Sequence, residues 1–444
     1  MKKEWVLLVV LLFMGVVAFL YLVPFISTTG KVVTPSIPLH ISYHKLSPAL
    51  DLKYAKYTAT PVSRWNIDVI DSQGNTGLYT SIAVSPQGDP YISYYDATNA
   101  DLKLAKKVGA GGNCGGGRFS CITIDEPPGS AGQADVGSYS SLAFLGNTPY
   151  ISYYDIFSHN IKIAYEVGTG GNCGPQGSWQ CDVIDTLTLT PLLDNNPYLS
   201  LAIIFQGVPY ISYIKPKPGG VPGGDLRVAH KVGIFTGNCG PQNSWQCDLI
   251  KPLSNGKSTS ITSYGSKPYV AYIEEDVDAN AVALKIAYNV GVGVGGNCGP
   301  QNTWKCELID ADLYTNYNSN ISLTVDPSTG IPYVSYYDPV NNDLKLAHRV
   351  GSGGNCGSFT GSGGQTSFGI WQCEAIDVAG NVGEYNSLVQ ESGNFYISYF
   401  DQTNLDLKLA YSVGSGGNCG SQGSWQCDAI DVDGFVGLYT SLSN

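Results

Sequence analysis

The residues of this chain able to do chemistry recur at fixed offsets. Asp71, Asp125, Asp185, Asp310, Asp377 and Asp431 each close an Ile-Asp phrase, and Lys251 stands where a seventh would fall. A second acidic series, Asp96, Asp155, Asp338 and Asp401, ends a Tyr-rich phrase, with Glu274, Lys45 and Lys215 in the remaining places. Paired carboxylates are the equipment of glycoside hydrolysis. Acid and base roles, however, need two groups in distinct environments, which a residue repeated in every unit does not supply. Asp capping a tight turn through its own backbone accounts for the repetition. Lys215, Lys217, Lys251 and Lys257 interrupt the acidic pattern within one unit. They are candidate contacts for an anion or acidic glycan, against the plainer reading of a solvated charge cluster. Glu274, Glu275, Asp276 and Asp278 form an acidic run that could hold Ca²⁺. Asp431-x-Asp433-Gly434 has a fragment of EF-hand spacing without the downstream acidic ligand. No other cofactor is expected.

Tyr79, Tyr139, Tyr198, Tyr385 and Tyr439 share one place in the pattern, which Ser258 and Asn320 fill in the other two units. Two residues on stand Ser81, Ser141, Ser200, Ser260, Ser322, Ser387 and Ser441. Aromatic side chains among small polar neighbours suit an adaptable recognition surface. The competing reading is packing for the tyrosines and a narrow polar axis for the serines. The histidines (40, 44, 159, 230 and 348) form no H-E-x-x-H, and His230 and His348 take the strand place of Tyr165, Tyr288 and Tyr411. No nucleophile elbow or phosphate loop is present. The sequon Asn320-Ile321-Ser322 falls in an expected inner strand.

These residues are positioned by a repeat. Tyr-Ile-Ser-Tyr-Tyr-Asp stands at 91–96 and 150–155, and variants start at His40, Tyr210, Tyr269, Tyr333 and Tyr396, about 60 residues apart. Trp-Gln-Cys-Asp-x-Ile-Asp starts at Trp179 and Trp425, with relatives at Trp65, Phe119, Trp245, Trp304 and Trp371. Each unit reads as four short strands rich in aromatic and β-branched residues and bounded by Gly, Pro, Asn or Asp. A repeated four-stranded sheet is a propeller blade. The chain opens on a second strand at His40 and ends on a first strand, Tyr439–Ser443, so the C-terminal strand should complete the first blade. The expectation is an all-β, seven-bladed β-propeller over residues 38–444. In such a ring, the loops from fourth to first strands and from second to third strands share one face. We call it the upper face; it carries the acidic and tyrosine series.

The twelve cysteines fall two to a unit in six units and are absent from the first, where Thr60-Pro61-Val62 replaces the loop. Joint loss predicts local pairing: Cys114–Cys121, Cys173–Cys181, Cys239–Cys247, Cys298–Cys306, Cys356–Cys373 and Cys419–Cys427. Closing a loop of about eight residues contributes roughly 2.5 kcal/mol by chain entropy. Disulfides also imply an oxidising, exported compartment. Val6–Ile26 is an uncharged apolar run behind Lys2 and Lys3, long enough to span a bilayer and lacking a small-residue cleavage site. The reading is a cytoplasmic stub and transmembrane signal anchor over 1–26, a tether over 27–37, and the propeller outside the cell. If the segment is cleaved, the propeller is secreted. The formal net charge of −12 disfavours nucleic acid as a partner.

The repeat Ser-Leu-Ala, Gly-x-Pro-Tyr-Ile-Ser-Tyr-Tyr-Asp, Asp-Leu-Lys-Leu-Ala resembles a repeat of exported bacterial and archaeal propeller proteins across residues 38–444. The resemblance implies architecture and carries over no catalytic residue. Sialidase-like propellers are a broader analogy, but their Asp-box is absent here. The functional expectation is a membrane-anchored binding, adhesion or scaffold module. Its glycan or envelope-protein ligand would sit on the Tyr/Asp-rich face, at Tyr79, Tyr139, Tyr198, Tyr385, Tyr439, Lys215, Lys251 and Lys257. The alternatives are a glycoside hydrolase or lyase of propeller architecture, and a structural subunit of an envelope or appendage assembly.

Overall fold

The computed structural model describes residues 34–444 except 59–63, 127–134, 188–195, 205, 218–223, 277–280, 314–319 and 358–368. The expected anchor at 1–26, most of the tether, Thr60-Pro61-Val62 and Asp278 lie outside the described residues. Among the described residues no helix is long and apolar enough to cross a membrane. The described chain forms seven four-stranded antiparallel sheets, the blades of a propeller. Blade two shows the pattern: Thr76–Val84, Pro90–Asp96, Asp101–Lys107 and Phe119–Asp125. Blade one is Phe435–Ser443, Leu39–Ser47, Asp51–Thr58 and Arg64–Asp71, so the last strand of the chain pairs with its first. The expected closure is present.

Each second strand is covered on both faces by neighbouring blades. Pro90–Asp96 is accordingly buried at every position, and its pattern is apolar or aromatic almost throughout. Between blades, the aromatic residue opening a fourth strand packs on the third strand of the preceding blade. Trp179 lies with Leu102 and Leu104, Trp245 with Ile161 and Ile163, and Trp425 with Leu344 and Leu346. At the first junction the sizes exchange. Phe119 replaces Trp, and Tyr54 replaces the aliphatic residue it faces, with ring centroids 5.6 Å apart edge-on. A volume-conserving swap of this kind keeps the interior filled.

Around the axis the seven serines form a closed circuit. The Oγ of Ser81 accepts the backbone N–H of Leu142 at 3.0 Å, and Ser141 accepts from Leu201. Ser200, Ser260, Ser322 and Ser387 accept in turn from Ile261, Leu323, Leu388 and Leu442. Ser441 accepts from Ile82 and returns to blade two. Inner strands are sheet edges whose outward N–H groups need partners, and the serines provide them. The structural reading of these residues is thereby favoured over ligand contact.

One layer out, the second-strand serine meets a hydroxyl or amide of the next blade: Ser42 with Thr80, Ser93 with Ser140, Ser212 with Thr259, Ser335 with Asn386 and Ser398 with Thr440. Blade six places Ile321 there and blade five answers with Ala271, both buried and apolar. Blade four places Leu199, but blade three keeps Ser152, whose buried hydroxyl finds no partner among the described residues. An orphaned buried hydroxyl costs about 1–3 kcal/mol. Ser152→Ala should therefore raise the thermal unfolding midpoint. Ser93→Ala should lower it, by the equivalent of about 1 kcal/mol. Calorimetry of the two variants checks the contrast, and equal effects would refute it.

Candidate functional site

The five tyrosines converge at the upper mouth of the axis. Centroid separations are 4.5 Å for Tyr79–Tyr139, 4.7 Å for Tyr79–Tyr439, 4.8 Å for Tyr385–Tyr439 and 5.5 Å for Tyr139–Tyr198. Together with Thr80, Ser140, Asn196 and Asn320 they line a cleft of about 220 Å³. Among the described residues no carboxylate lines it.

The backbone explains the convergence. Tyr79, Tyr139, Tyr385 and Tyr439 each sit in a β-bulge of the first strand, where the register to the second strand slips, as between Leu78 and Ser81 or Ser138 and Ser141; Tyr198 lies just ahead of its first strand, Ser200–Ile204. All five have φ between 45° and 55°, the left-handed region, and Ser258 shares it at 45°. A bulge re-aims a side chain, and here the bulges, with the same φ at Tyr198, turn five rings to one point. The carbonyls of Tyr79 and Tyr198 are held by the hydroxyls of Ser140 and Thr259 from the next blade, at 2.8 and 2.7 Å. Bulky residues are rare at positive φ, and each costs of order 1–3 kcal/mol. Ser258 keeps the bulge without an aromatic ring, so the bulge itself does not require tyrosine. Burial, helped by Glu384 and Tyr79, raises the Tyr385 hydroxyl to about 12, although Tyr439 opposes the shift by hydrogen bonding. Tyr439 is raised further, by burial first and then by Tyr79 and Tyr385. Both hydroxyls remain protonated at neutral pH.

The acidic ring has a different task. Asp71 in blade one accepts from the Tyr94 hydroxyl at 2.7 Å and the Lys103 ammonium at 2.5 Å, both in blade two. Asp125 joins Tyr153 and Lys162, Asp310 joins Tyr336 and Lys345, and Asp377 joins Tyr399 and Lys408. Asp431 joins Tyr43 and Lys53, which closes the ring. Burial acts to raise the carboxyls of Asp71 and Asp377, but the lysine and tyrosine hydrogen bonds prevail and hold them below the ordinary value. The second series caps its own turns. Asp96 accepts from the backbone of Thr98 and Asn99, Asp338 from Val340 and Asn341, and Asp401 from Asn404.

Two of the three lysines named as binding candidates are engaged in ion pairs. Lys215 bonds Asp185 at 2.7 Å and so stands in for the third-strand lysine that Arg227 replaces. Lys257 meets Glu275 at 3.2 Å. Lys251 occupies the acidic place at the junction of blades four and five, where Lys285 pairs instead with Glu274. The Tyr272 hydroxyl there is buried with no partner among the described residues. Glu274 and Glu275, named above as Ca²⁺ candidates, are therefore engaged with lysines, and Asp433 pairs with Lys45 at 2.8 Å. Among the described residues no three His, Cys, Asp or Glu side chains are grouped to hold a metal ion.

All six disulfides form as paired above. The asparagine before each first cysteine clamps the backbone of the second through both amide atoms, as Asn113 does to Cys121. His230 and His348 stack on Tyr210 and Tyr333, as ordinary strand residues should. The sequence reading missed the roles of Thr80, Ser140 and Asn196 in the cleft. It also missed the tyrosine latch donors, whose signal was available: the fourth residue of every Tyr-Ile-Ser-Tyr phrase or its variants is Tyr.

No protein-family model matches the chain, and no curated protein matches it. Among solved structures it is similar to an α-L-arabinofuranosidase from Lactobacillus brevis, at 11% identity over 68% of this chain and 90% of that one, with a TM-score of 0.35. It is also similar to the GH93 α-L-arabinofuranosidase of Fusarium graminearum in complex with arabinobiose, at 12% identity over 72% and 87%, TM-score 0.39. A polysaccharide lyase matches at 13% identity over 80% and 90%, TM-score 0.34. These likenesses concern the propeller fold, and no residue assignment follows from them.

Two predictions come from this geometry. Tyr198→Asn installs a residue that tolerates positive φ, and should leave stability unchanged or raise it by up to about 1 kcal/mol; a loss above that size in urea unfolding would show that tyrosine is needed for packing. His40 is buried with Nδ1 2.6 Å from the Tyr54 hydroxyl. Burial, then Lys56 and Lys107, lowers it from 6.5 to about 4. A histidine kept neutral by the fold contributes stability above its unfolded value, and that contribution is lost as pH falls from about 6.5 towards 4. The loss is at most about 3 kcal/mol. Urea midpoints at pH 7 and 4.5 should therefore differ more in the native chain than in His40→Gln.

Proposed function

We propose that the protein is a recognition module displayed at the cell surface by its N-terminal apolar segment, and that it binds a neutral, hydroxyl-rich ligand, a glycan, in the tyrosine-lined cleft. The observation that carries this reading is the five tyrosines held at positive φ. The chain accepts backbone strain at five of the seven equivalent places in the repeat to aim phenol rings at one point. Phenol rings offer apolar faces to sugar rings and hydroxyls to sugar hydroxyls. The carboxylates of the two repeated acidic series are committed to turns and to junctions between blades. The six disulfides support an oxidising, extracellular setting.

A second reading, hydrolase or lyase, is supported by Glu384. It is the only acid at that place in the repeat, adjoins Tyr385, and is raised by burial above the ordinary carboxyl value. A carboxyl shifted upward by burial next to Tyr385 has the character that a general acid needs.

The test is binding of the purified full chain to a broad glycan array, with and without Ca²⁺. Specific binding lost in the Tyr385→Ala, Tyr439→Ala double variant supports the proposal, and binding that survives it refutes this cleft. Shortening of the bound glycan, abolished by Glu384→Gln, would establish the second reading instead.

A further inference from the structure

The opposite, lower face carries its own break in symmetry. It is formed by the hairpins that join third to fourth strands, whose tips in most blades read Gly-Ala-Gly-Gly, Gly-Thr-Gly-Gly or Gly-Ser-Gly-Gly. Blade four has Ile234-Phe235 instead, and blade five has Val292 and Val294. Phe235 is 76% exposed, Val292 73%, Val294 67% and Ile234 60%. The first three are the most exposed large apolar side chains among the described residues. Exposed apolar groups gathered on neighbouring blades mark an interaction surface.

The path of the chain indicates what meets it. Leu39 opens blade one opposite Tyr57, at the end of the sheet where third and fourth strands join. The propeller is thus entered from the lower face. Just before that point Ser36 hydrogen-bonds the Tyr396 hydroxyl of blade seven at 2.9 Å. Residues 27–34 reach about 30 Å at full extension. If the apolar run at 6–26 enters a bilayer, a tether of that length would keep the lipid within reach of the lower face. Blades four and five stand across the ring from blade one.

We propose that the hairpin tips of blades four and five, led by Phe235, insert into the interfacial layer of the bilayer that the N-terminal segment enters. Aromatic and aliphatic side chains on otherwise polar elements partition to this layer. The propeller then has two attachments on opposite sides of its ring. It lies flat, with the lower face to the lipid and the tyrosine cleft turned away. This orientation rests on the anchor and not on the ligand of the cleft.

The test reconstitutes the full chain in phosphatidylcholine nanodiscs with and without doxyl-labelled lipid. The added fluorescence of Phe235→Trp is compared with that of Ser72→Trp, at an exposed position on the upper face. Severalfold stronger quenching at 235 than at 72 is expected, and the same in phosphatidylglycerol discs. Equal quenching at the two positions overturns the proposal. Quenching that appears only with the anionic lipid overturns apolar insertion as its basis. Failure of the chain to stay with the discs overturns the anchor and this orientation with it. A detergent-solubilised dimer that Phe235→Ser with Val294→Ser dissociates assigns the patch to a second copy and also overturns it. None of these outcomes bears on glycan binding.

Discussion

Seven separate sheets become one body only where a buried polar group of one blade is answered by its neighbour, and the aspartate latch is the strongest of these answers. At six junctions a carboxylate at the end of a fourth strand takes a tyrosine hydroxyl and a lysine ammonium from the next blade. A buried charge is tolerable only when paired, and removing one partner of such a pair typically costs about 3–5 kcal/mol. The latch therefore fixes register between blades more than it adds net stability. It also decides what the acidic residues are unavailable for. A carboxylate that accepts from Tyr and Lys at hydrogen-bond distance is neither a poised acid nor an open cation ligand. The upper face is acidic in composition, and its two repeated acidic series are taken up by these latches and by turns.

The same constraint explains which parts of the molecule could be read from its sequence. Blade number, strand order, closure by Tyr439–Ser443 and all six disulfides follow from the repeat, because each depends on local patterning that recurs in every unit. Contacts between blades were less legible. The place two residues after the tyrosine is serine in all seven units, and sequence alone could not say whether the hydroxyl faced the channel or the next strand. The answer depends on an inter-blade N–H, such as that of Leu142 for Ser81, which no single repeat contains. The lysines of blade four were visible as a break in symmetry. Their pairing with Asp185 and Glu275 was hidden because the acids come from other blades or from the far end of the next second strand.

Symmetry breaks in this ring fall into two kinds. Some are compensated: Tyr54 against Phe119, Ala271 against Ile321, and Lys215 in place of the lysine that Arg227 displaces. Each restores volume or charge at its own junction and needs no external partner. Others are left without an answer among the described residues. Ser152 and Tyr272 keep hydroxyls that their neighbours do not meet, and Phe235, Val292 and Val294 leave apolar surface in solvent. Compensation marks drift constrained by packing. Its absence marks either tolerated cost, as for a lone hydroxyl, or a surface completed by something else, as for a cluster of exposed apolar tips.

The tyrosine cleft belongs to neither kind, and the backbone shows why. Five first strands bulge at the same residue whether it carries a phenol or, at Ser258, a hydroxymethyl group, and Tyr198 takes the same positive φ just ahead of its strand. The bulge is thus a property of the blade, set by how inner strands crowd the axis and by hydroxyls such as Ser140 that hold the bulge carbonyls. Given such a bulge, glycine or asparagine would be the least strained occupant. Stability alone would fill the mouth of the channel with small residues. Five tyrosines there are held at positive φ, with their rings packed on one another and partly exposed. What remains is a concave, partly solvated aromatic surface whose geometry is fixed before any ligand arrives. A preorganised surface loses little entropy on binding, which on the proposed reading is what would offset the strain held at these positions.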